Sequence, residues 1–296
     1  MTAIRAATRG SALALWQTRY VAGLLAPTGA TIDAVVVSTT GDERLDVPIH
    51  AMGGKGIFVK EVQAAVRDGR ADIAVHSMKD LPSEGPDGLV IAAVPMRADP
   101  RDVLVGCRLD DLPMGGTVAT GSIRRRAQLA SLRPDLRFEE LRGNIATRLD
   151  KASNFDAIVM AAAALDRLGL TPDVVDALEP DVMVPQVGQG ALAIECRADD
   201  DGLRALLTKI EDDETRWLTD AERAFLSELG GDCDLPAGGF ATAEGGGRLR
   251  LRSLLAAEDG TTVLRDDRVG SQPDVMGRDA ARLLLDSGGR ALLGRP

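Results

Sequence analysis

The chain has 296 residues, 45% hydrophobic and 27% charged, with a net charge of −10 and only 3% aromatics. That length suggests about two domains, or three small ones, of ordinary globular composition. The acidic balance and scarce aromatics disfavour nucleic-acid binding and base stacking. Its three cysteines lack paired spacing, so neither a disulfide framework nor a zinc site is expected. No apolar run is long enough to span a membrane, and the N-terminal segment has no apolar stretch followed by a cleavage site. A cytoplasmic protein with no membrane or nucleic-acid partner is expected.

From the N-terminus, strands and helices alternate. Residues 4–8 read as a strand and Arg9-Gly10-Ser11 as the turn after it, with Ser11 as N-cap of a helix over 12–25. Residues 32–37 read as the next strand. A long polar loop follows over 38–55; its Gly53-Gly54-Lys55-Gly56 lacks the full phosphate-loop pattern, so a lid carrying Lys55 is the simpler reading. A helix over 57–67 precedes the apolar run 71–75. That run turns polar at His76, Ser77, Met78, Lys79 and Asp80, and Leu81 is held extended by Pro82. The strand therefore presents Ser77, Lys79 and Asp80 at its carboxyl edge, where open α/β sheets place ligands. Asp80 is there a candidate acid, base or cation stabiliser; a solvated turn is the plain alternative. Residues 89–94 form a further strand, and the alternation implies a mainly parallel sheet.

Residues 98–190 repeat the style, with strands at 103–105, 117–119, 136–141 and 157–159 and helices at 122–132 and 145–152. Gly188-Gln189-Gly190 reads as a tight turn before a strand at 191–195. Crossing over and back gives two α/β lobes hinged near 95–98 and 190–195. An amphipathic helix over 211–229 carries acids in its first turn and Gly230-Gly231 as its stop. The period then becomes two, with antiparallel strands at 248–255 and 261–267 and a closing helix at 275–285. The expected class is α/β, two lobes plus a small α+β C-terminal domain. The expected domains are 1–96 with 194–214, 97–193, and 215–296.

Of 35 basic residues only five are lysines, and arginine grips carboxylates bidentately. Between residues 117 and 151 eight basic residues face four acidic ones, a local positive excess in an acidic chain. There Ser122 opens a helix with Arg124, Arg125 and Arg126, cations that oppose the helix dipole. Arg142-Gly143-Asn144 follows the next strand, and Arg148 lies one turn into the next helix. Broken local preference of this kind points to a pocket for several carboxylates or phosphates; a solvated basic face is the alternative. Phe58 is either core or the wall of a flat ligand. Cys233, flanked by Asp232 and Asp234, sits in a loop past the helix stop, where the carboxylates disfavour the thiolate but permit a covalent attachment formed once. Cys107 and Cys196, at strand ends, read as buried structural thiols, and His76 as a satisfied strand-end residue.

Seven stretches in order resemble the hydroxymethylbilane synthase, or porphobilinogen deaminase, family: ATRGSALALWQ (7–17), GGKGIFVKE (53–61), ADIAVHSMKDLP (71–82), ATGSIRRRAQL (119–129), LRGNIATRL (141–149), VGQGALAIECR (187–197) and ERAFLSELGGDCDLPAGG (222–239). The resemblance implies two periplasmic-binding-protein-like lobes and a small third domain. It implies that four porphobilinogen units are joined head to tail into hydroxymethylbilane with loss of ammonia, and that water releases the product. It implies a dipyrromethane cofactor on Cys233 through a thioether, and Asp80 as the catalytic aspartate. Positions matching those that hold acetate and propionate groups are Arg9, Ser11, Lys55, Lys79, Ser122, Arg124, Arg125, Arg142, Arg148 and Arg167. Lys79, Ser122, Arg124 and Arg125, with Asp80, are assigned to the cofactor. Arg9, Ser11, Lys55, Phe58, Arg142, Arg148, Arg167 and Gln189 are assigned to substrate. No metal is implied, and the family suggests a monomer. The sequence departs from the pattern at Asp232, where a small residue is expected, and at Leu235 and Ala237. The rival reading is a non-enzymatic two-lobed organic-anion binding protein, which explains the arginines but needs no Cys233.

Overall fold

A computed structural model describes residues 2–39, 56, 58–230 and 235–294. In chain order the elements are β1 (Thr2–Arg9), α1 (Ala12–Leu25), β2 (Ala30–Val37), α2 (Lys60–Arg67), β3 (Ile73–Ser77), β4 (Leu89–Ala93), β5 (Asp102–Val105), β6 (Thr117–Ala119), α3 (Ile123–Leu132), β7 (Arg137–Glu139), α4 (Ile145–Asp150), β8 (Ala157–Ala161), α5 (Ala162–Leu168) and β9 (Val175–Leu178). There follow β10 (Leu192–Arg197), α6 (Asp201–Leu207), α7 (Asp213–Glu228), β11 (Ala237–Gly245), β12 (Arg248–Ala256), β13 (Val263–Gly270) and α8 (Pro273–Leu284). The chain divides into two compact units, residues 1–98 with 190–216, and residues 99–189 with 217–296.

The first unit holds a five-stranded sheet of order β2-β1-β3-β10-β4. Strands β2, β1 and β3 are parallel, and β10 runs antiparallel to both β3 and β4. β3 sits between β1 and β10, so its run Ile73 to His76 is buried on both faces. One face packs Ile4, Ile73 and Ile194 against Val21 and Leu25 of α1. The other packs Ala7 and Ala74 against Val62 and Val66 of α2.

In the second unit one sheet has the order β7-β6-β8-β5-β9. Here β7, β6 and β8 are parallel and β5 is antiparallel to β8 and β9. The winding repeats that of the first sheet. The sequence pattern implied a mainly parallel sheet, and four of the five strands in each run the same way; the fifth, β10 or β5, is reversed. The period of two along β5 sends Leu104 to one face and Val103 and Val105 to the other.

The unit's other sheet, β11-β12-β13, is antiparallel throughout. Its apolar face, with Leu249, Leu251 and Leu255, packs on α7 and α8 through Phe225, Leu229, Ala281 and Leu284. The two helices touch at Gly277, where an added Cβ would run into the backbone of Ala221 and Phe225. Gly260, at φ +74° in the β12–β13 turn, packs on α3, and an added Cβ would lie 2.5 Å from the Ala127 carbonyl oxygen. Only glycine fits that approach.

Candidate active site

The first unit brings its polar residues together where β1 and β3 end. These strands are parallel neighbours, so their carboxyl ends open on one edge. β1 ends at Arg9, and Ser11 caps α1 by accepting from the Ala14 N–H at 3.2 Å. One turn on, buried Gln17 donates its amide nitrogen to Ser77 Oγ at 2.8 Å. β3 runs to Ser77, two residues beyond the apolar run that signalled it. The chain then makes a single 3₁₀ turn, Met78–Asp80. Met78, 2% exposed, anchors this turn, and its N–H donates to the Ala191 carbonyl at 3.0 Å.

Arg9, Ser11, Phe58 and Asp80 thereby line one cleft, together with Gln17, His76 and Ser77. The Arg9 guanidinium lies 4.2 Å above the Phe58 ring centre, so Phe58 walls the cleft and is not core. Asp80 is half-buried and makes no hydrogen bond or ion pair with a described residue. Lys79 is half-buried beside it. A second cavity, about 370 Å³, lies against β4 and α6 with Asp201 and Arg204 as its charged lining, away from the strand ends.

In the second unit Asp102 opens β5 and is fully buried. Arg124 and Arg125, 2% and 7% exposed, converge on it. Arg124 Nη1 lies 2.8 Å from Asp102 Oδ2 and donates to the Val184 carbonyl at 2.6 Å. Arg125 reaches Asp102 Oδ1 through Nη2 at 2.7 Å and Nε at 2.9 Å, and its Nη1 donates to the Val159 carbonyl at 3.0 Å. Burial alone would raise the Asp102 carboxyl, but the charges of Arg124 and Arg125 outweigh it and hold the group well below the carboxylate range. Two guanidiniums against one carboxylate leave a net positive charge. Arg124 Nε and Nη2 are buried and have no hydrogen-bond acceptor among the described residues, and a buried donor left unpaired costs about 1–3 kcal/mol.

Ser122 caps this helix start, accepting from the Arg125 N–H at 3.4 Å. Of the three arginines that follow, Arg126 is exposed and lies over Phe138 at 5.9 Å. Gln189 is fully buried, its amide nitrogen donating to Asp102 Oδ1 at 2.9 Å and the Pro100 carbonyl at 2.7 Å. Asp102 itself escaped the sequence reading, although a carboxylate at the head of the apolar run Val103 to Val105 must find a buried partner.

The loop after β7 emerges beside the one after β6, since these strands are parallel neighbours. It carries Arg142 and then Gly143 at φ +122°, where a Cβ would strike Thr147 at 2.8 Å. Asn144 caps α4 by accepting from the Thr147 N–H at 2.9 Å. Arg148 Nε donates to the Gly143 carbonyl at 2.8 Å, and Arg142 Nη1 is buried with no acceptor among the described residues. Arg167, on α5, is 9% exposed.

On α7, fully buried Glu222 accepts from the Gly188 N–H at 2.8 Å and the Ala241 N–H at 2.9 Å. It ties the helix before the cysteine loop to the strand after it. Cys233 and Lys55 lie outside the described residues. Cys196 is buried, and burial pushes its thiol up to about 11. Cys107 is half-buried at the edge of the second sheet's core rather than inside it.

A half-buried carboxylate with no partner among the described residues, beside arginine and serine, and a buried arginine pair with donors that no described residue accepts, fit an α/β enzyme acting on an organic polyanion. The chain belongs to the porphobilinogen deaminase family. Residues 4–205 match the family's dipyrromethane cofactor binding domain and residues 218–286 its C-terminal domain. It is 48% identical over 296 residues to porphobilinogen deaminase of Geobacillus kaustophilus, covering 97% of this chain and 96% of that one. It is 46% identical over 294 residues to that of Shouchella clausii, covering 97% and 94%. Among solved structures, a nutrient binding protein from Burkholderia cenocepacia bound to methionine is 17% identical over 70% of this chain and 90% of that one, with a TM-score of 0.41, a likeness too loose to carry an argument. Among the described residues no helix is long and apolar enough to cross a membrane.

Proposed function

We propose that this protein joins four porphobilinogen molecules head to tail into hydroxymethylbilane, releasing ammonia at each step, with Asp80 as the catalytic group. The observation that supports it most directly is Asp80, a half-buried carboxylate at the sheet edge without a partner among the described residues. Loss of ammonia from an aminomethylpyrrole spreads positive charge onto the ring nitrogen. Asp80 accepts the ring N–H and offsets that charge as it develops. One such preorganised group is worth about 3–4 kcal/mol. Arg9 and Ser11, at the neighbouring strand end, bind the acetate and propionate of the substrate. Phe58 covers the pyrrole face, and Lys55 adds a cation.

The residues present fit the family's dipyrromethane, which carries an acetate and a propionate on each ring. Among the described residues Arg124 keeps two buried donors without an acceptor, and Arg142 one. In the second unit Ser122, Arg124 and Arg125 would hold the group, and Cys233 would bear it through a thioether; the family resemblance alone adds Lys79 and Asp80. When bound, it supplies the pyrrole carbon to which the first substrate is joined. Arg142, Arg148 and Arg167 hold the carboxylates of further pyrroles. Gln189 serves the same pocket by fixing Asp102. The three-domain division, with the cysteine in the last domain, and a cytoplasmic monomer without nucleic-acid partners belong to the same proposal.

The test is Asp80→Asn in protein carrying its cofactor. It should keep the fold and the cofactor mass yet lose at least about 100-fold in turnover, within the range of an acid–base or charge-stabilising group. Turnover at the wild-type rate would remove Asp80 from the chemistry.

A further inference from the structure

We infer that His76, oriented by Glu195, is a second polar group of the substrate cleft, accepting a hydrogen bond from the aminomethyl nitrogen of porphobilinogen. The inference rests on the reading of that cleft given above. His76 is the penultimate residue of β3, is 5% exposed, and lines the cleft with Ser77 and Asp80. The register of β3 on β10 sets His76 opposite Ala193 and Glu195 opposite Ala74, so the two side chains are diagonal neighbours on one face. His76 Nε2 lies 3.0 Å from Glu195 Oε2, a close contact rather than a linear hydrogen bond. From α2, Gln63 donates its amide nitrogen to both Glu195 oxygens, at 3.1 and 2.9 Å.

A buried carboxylate is costly, and an apolar pair at these positions would hold the sheet as well. The pair breaks the local rule beside the proposed catalytic group, where function is the usual cause. With Nε2 turned to the Glu195 carboxylate, Nδ1 stands on the opposite side of the ring as its second polar atom, and with the proton on Nε2 it is an acceptor. The ring makes no other hydrogen bond among the described residues. The substrate's carboxylates go to arginines and its ring N–H to Asp80. The aminomethyl nitrogen is the donor left, and Nδ1 is the acceptor that suits it.

Holding the departing nitrogen without competing for the ring charge should act on kcat more than on KM. The experiment compares purified, cofactor-bearing wild type with His76→Gln, His76→Asn and Glu195→Gln, reading kcat and KM with porphobilinogen alongside intact mass and Tm. A glutamine amide reaches the position of Nε2, keeping the Glu195 contact and dropping the Nδ1 acceptor. An asparagine oxygen stays near Nδ1 and drops the contact. His76→Gln should fold, carry the cofactor and lose about 10- to 100-fold in kcat, with KM changed less than about threefold. His76→Asn should recover part of that loss in spite of a lower Tm. Glu195→Gln, which leaves the imidazole less firmly oriented, should also lose kcat with its cofactor mass intact, and it decides the matter if His76→Gln does not fold. The inference is overturned if kcat of His76→Gln, or of Glu195→Gln in its place, stays within about twofold of wild type and losses merely follow Tm. A wild type that consumes no porphobilinogen overturns the functional reading and this inference with it.

Discussion

Replacing Asp102 by Asn removes the negative charge between two buried guanidiniums and leaves the shape of the site almost unchanged. Asp102 is fully buried, and Arg124 and Arg125 approach it to 2.8 and 2.7 Å. The variant leaves two buried cations facing each other. Breaking a buried pair by removing one partner costs about 3–5 kcal/mol. At roughly 2–4 °C per kcal/mol for a chain of this size, Tm should fall by roughly 6–20 °C. The pH dependence fixes the origin of that loss. The guanidiniums hold Asp102 well below the ordinary range although burial opposes them. A depressed carboxyl contributes stability that is present above its unfolded value, about 3.9, and is lost as pH falls through the folded one. The gap between wild type and Asp102→Asn should therefore stay level from pH 8 to pH 5 and narrow only in stronger acid. Circular-dichroism melts across that range measure it. A gap under about 2 °C, or one that closes before pH 5, refutes the ion-pair account.

Further substitutions probe packing and thiol burial. Gly260→Ala should lower stability by about 2 kcal/mol or more, since it combines a left-handed backbone with a clash against the α3 backbone. Gly29→Ala, at φ +79° but facing open space, should cost only about 1 kcal/mol; urea midpoints that rank the two the other way would remove the contact between the β12–β13 turn and α3. With N-ethylmaleimide at pH 8, Cys107 should react well before Cys196, whose thiol burial raises to about 11. Peptide mapping that finds Cys196 modified first would contradict the packing of β10.

Much of this architecture was legible in hydrophobic period and punctuation. The helix over 12–25 agrees with α1 residue for residue, because Ser11 supplies a cap the sequence shows plainly. Strand β8 was found short, at 157–159, since the apolar run Ala157 to Ala161 passes directly into the alanines of α5, with no capping side chain between them. β9 was missed: it is a four-residue edge strand with half-exposed, alternating polarity. β11 was missed for the opposite reason. Its Gly238 and Gly239 interrupt the strand pattern, yet they are there because a Cβ at either would meet Val184, Val187 or Phe225 at about 3 Å.

The site was legible where polar residues interrupt a strand, as at Ser77 to Asp80 or Arg9 to Ser11. It was less so in the arginine cluster, where the sequence shows the cations but not which are already satisfied. Arg124 and Arg125 share Asp102, more than twenty residues earlier in the chain, and a pairing between a helix and a distant strand leaves no local spacing to read. His76 shows the same limit, since Glu195 reaches it from β10.

The most direct test of the central claim is the intact mass of the purified protein beside a Cys233→Ala variant, before and after porphobilinogen is added. The extra mass of one dipyrromethane is expected on the wild type alone, followed by further increments of one pyrrole each. Equal masses for the two proteins, unchanged by porphobilinogen, would contradict it.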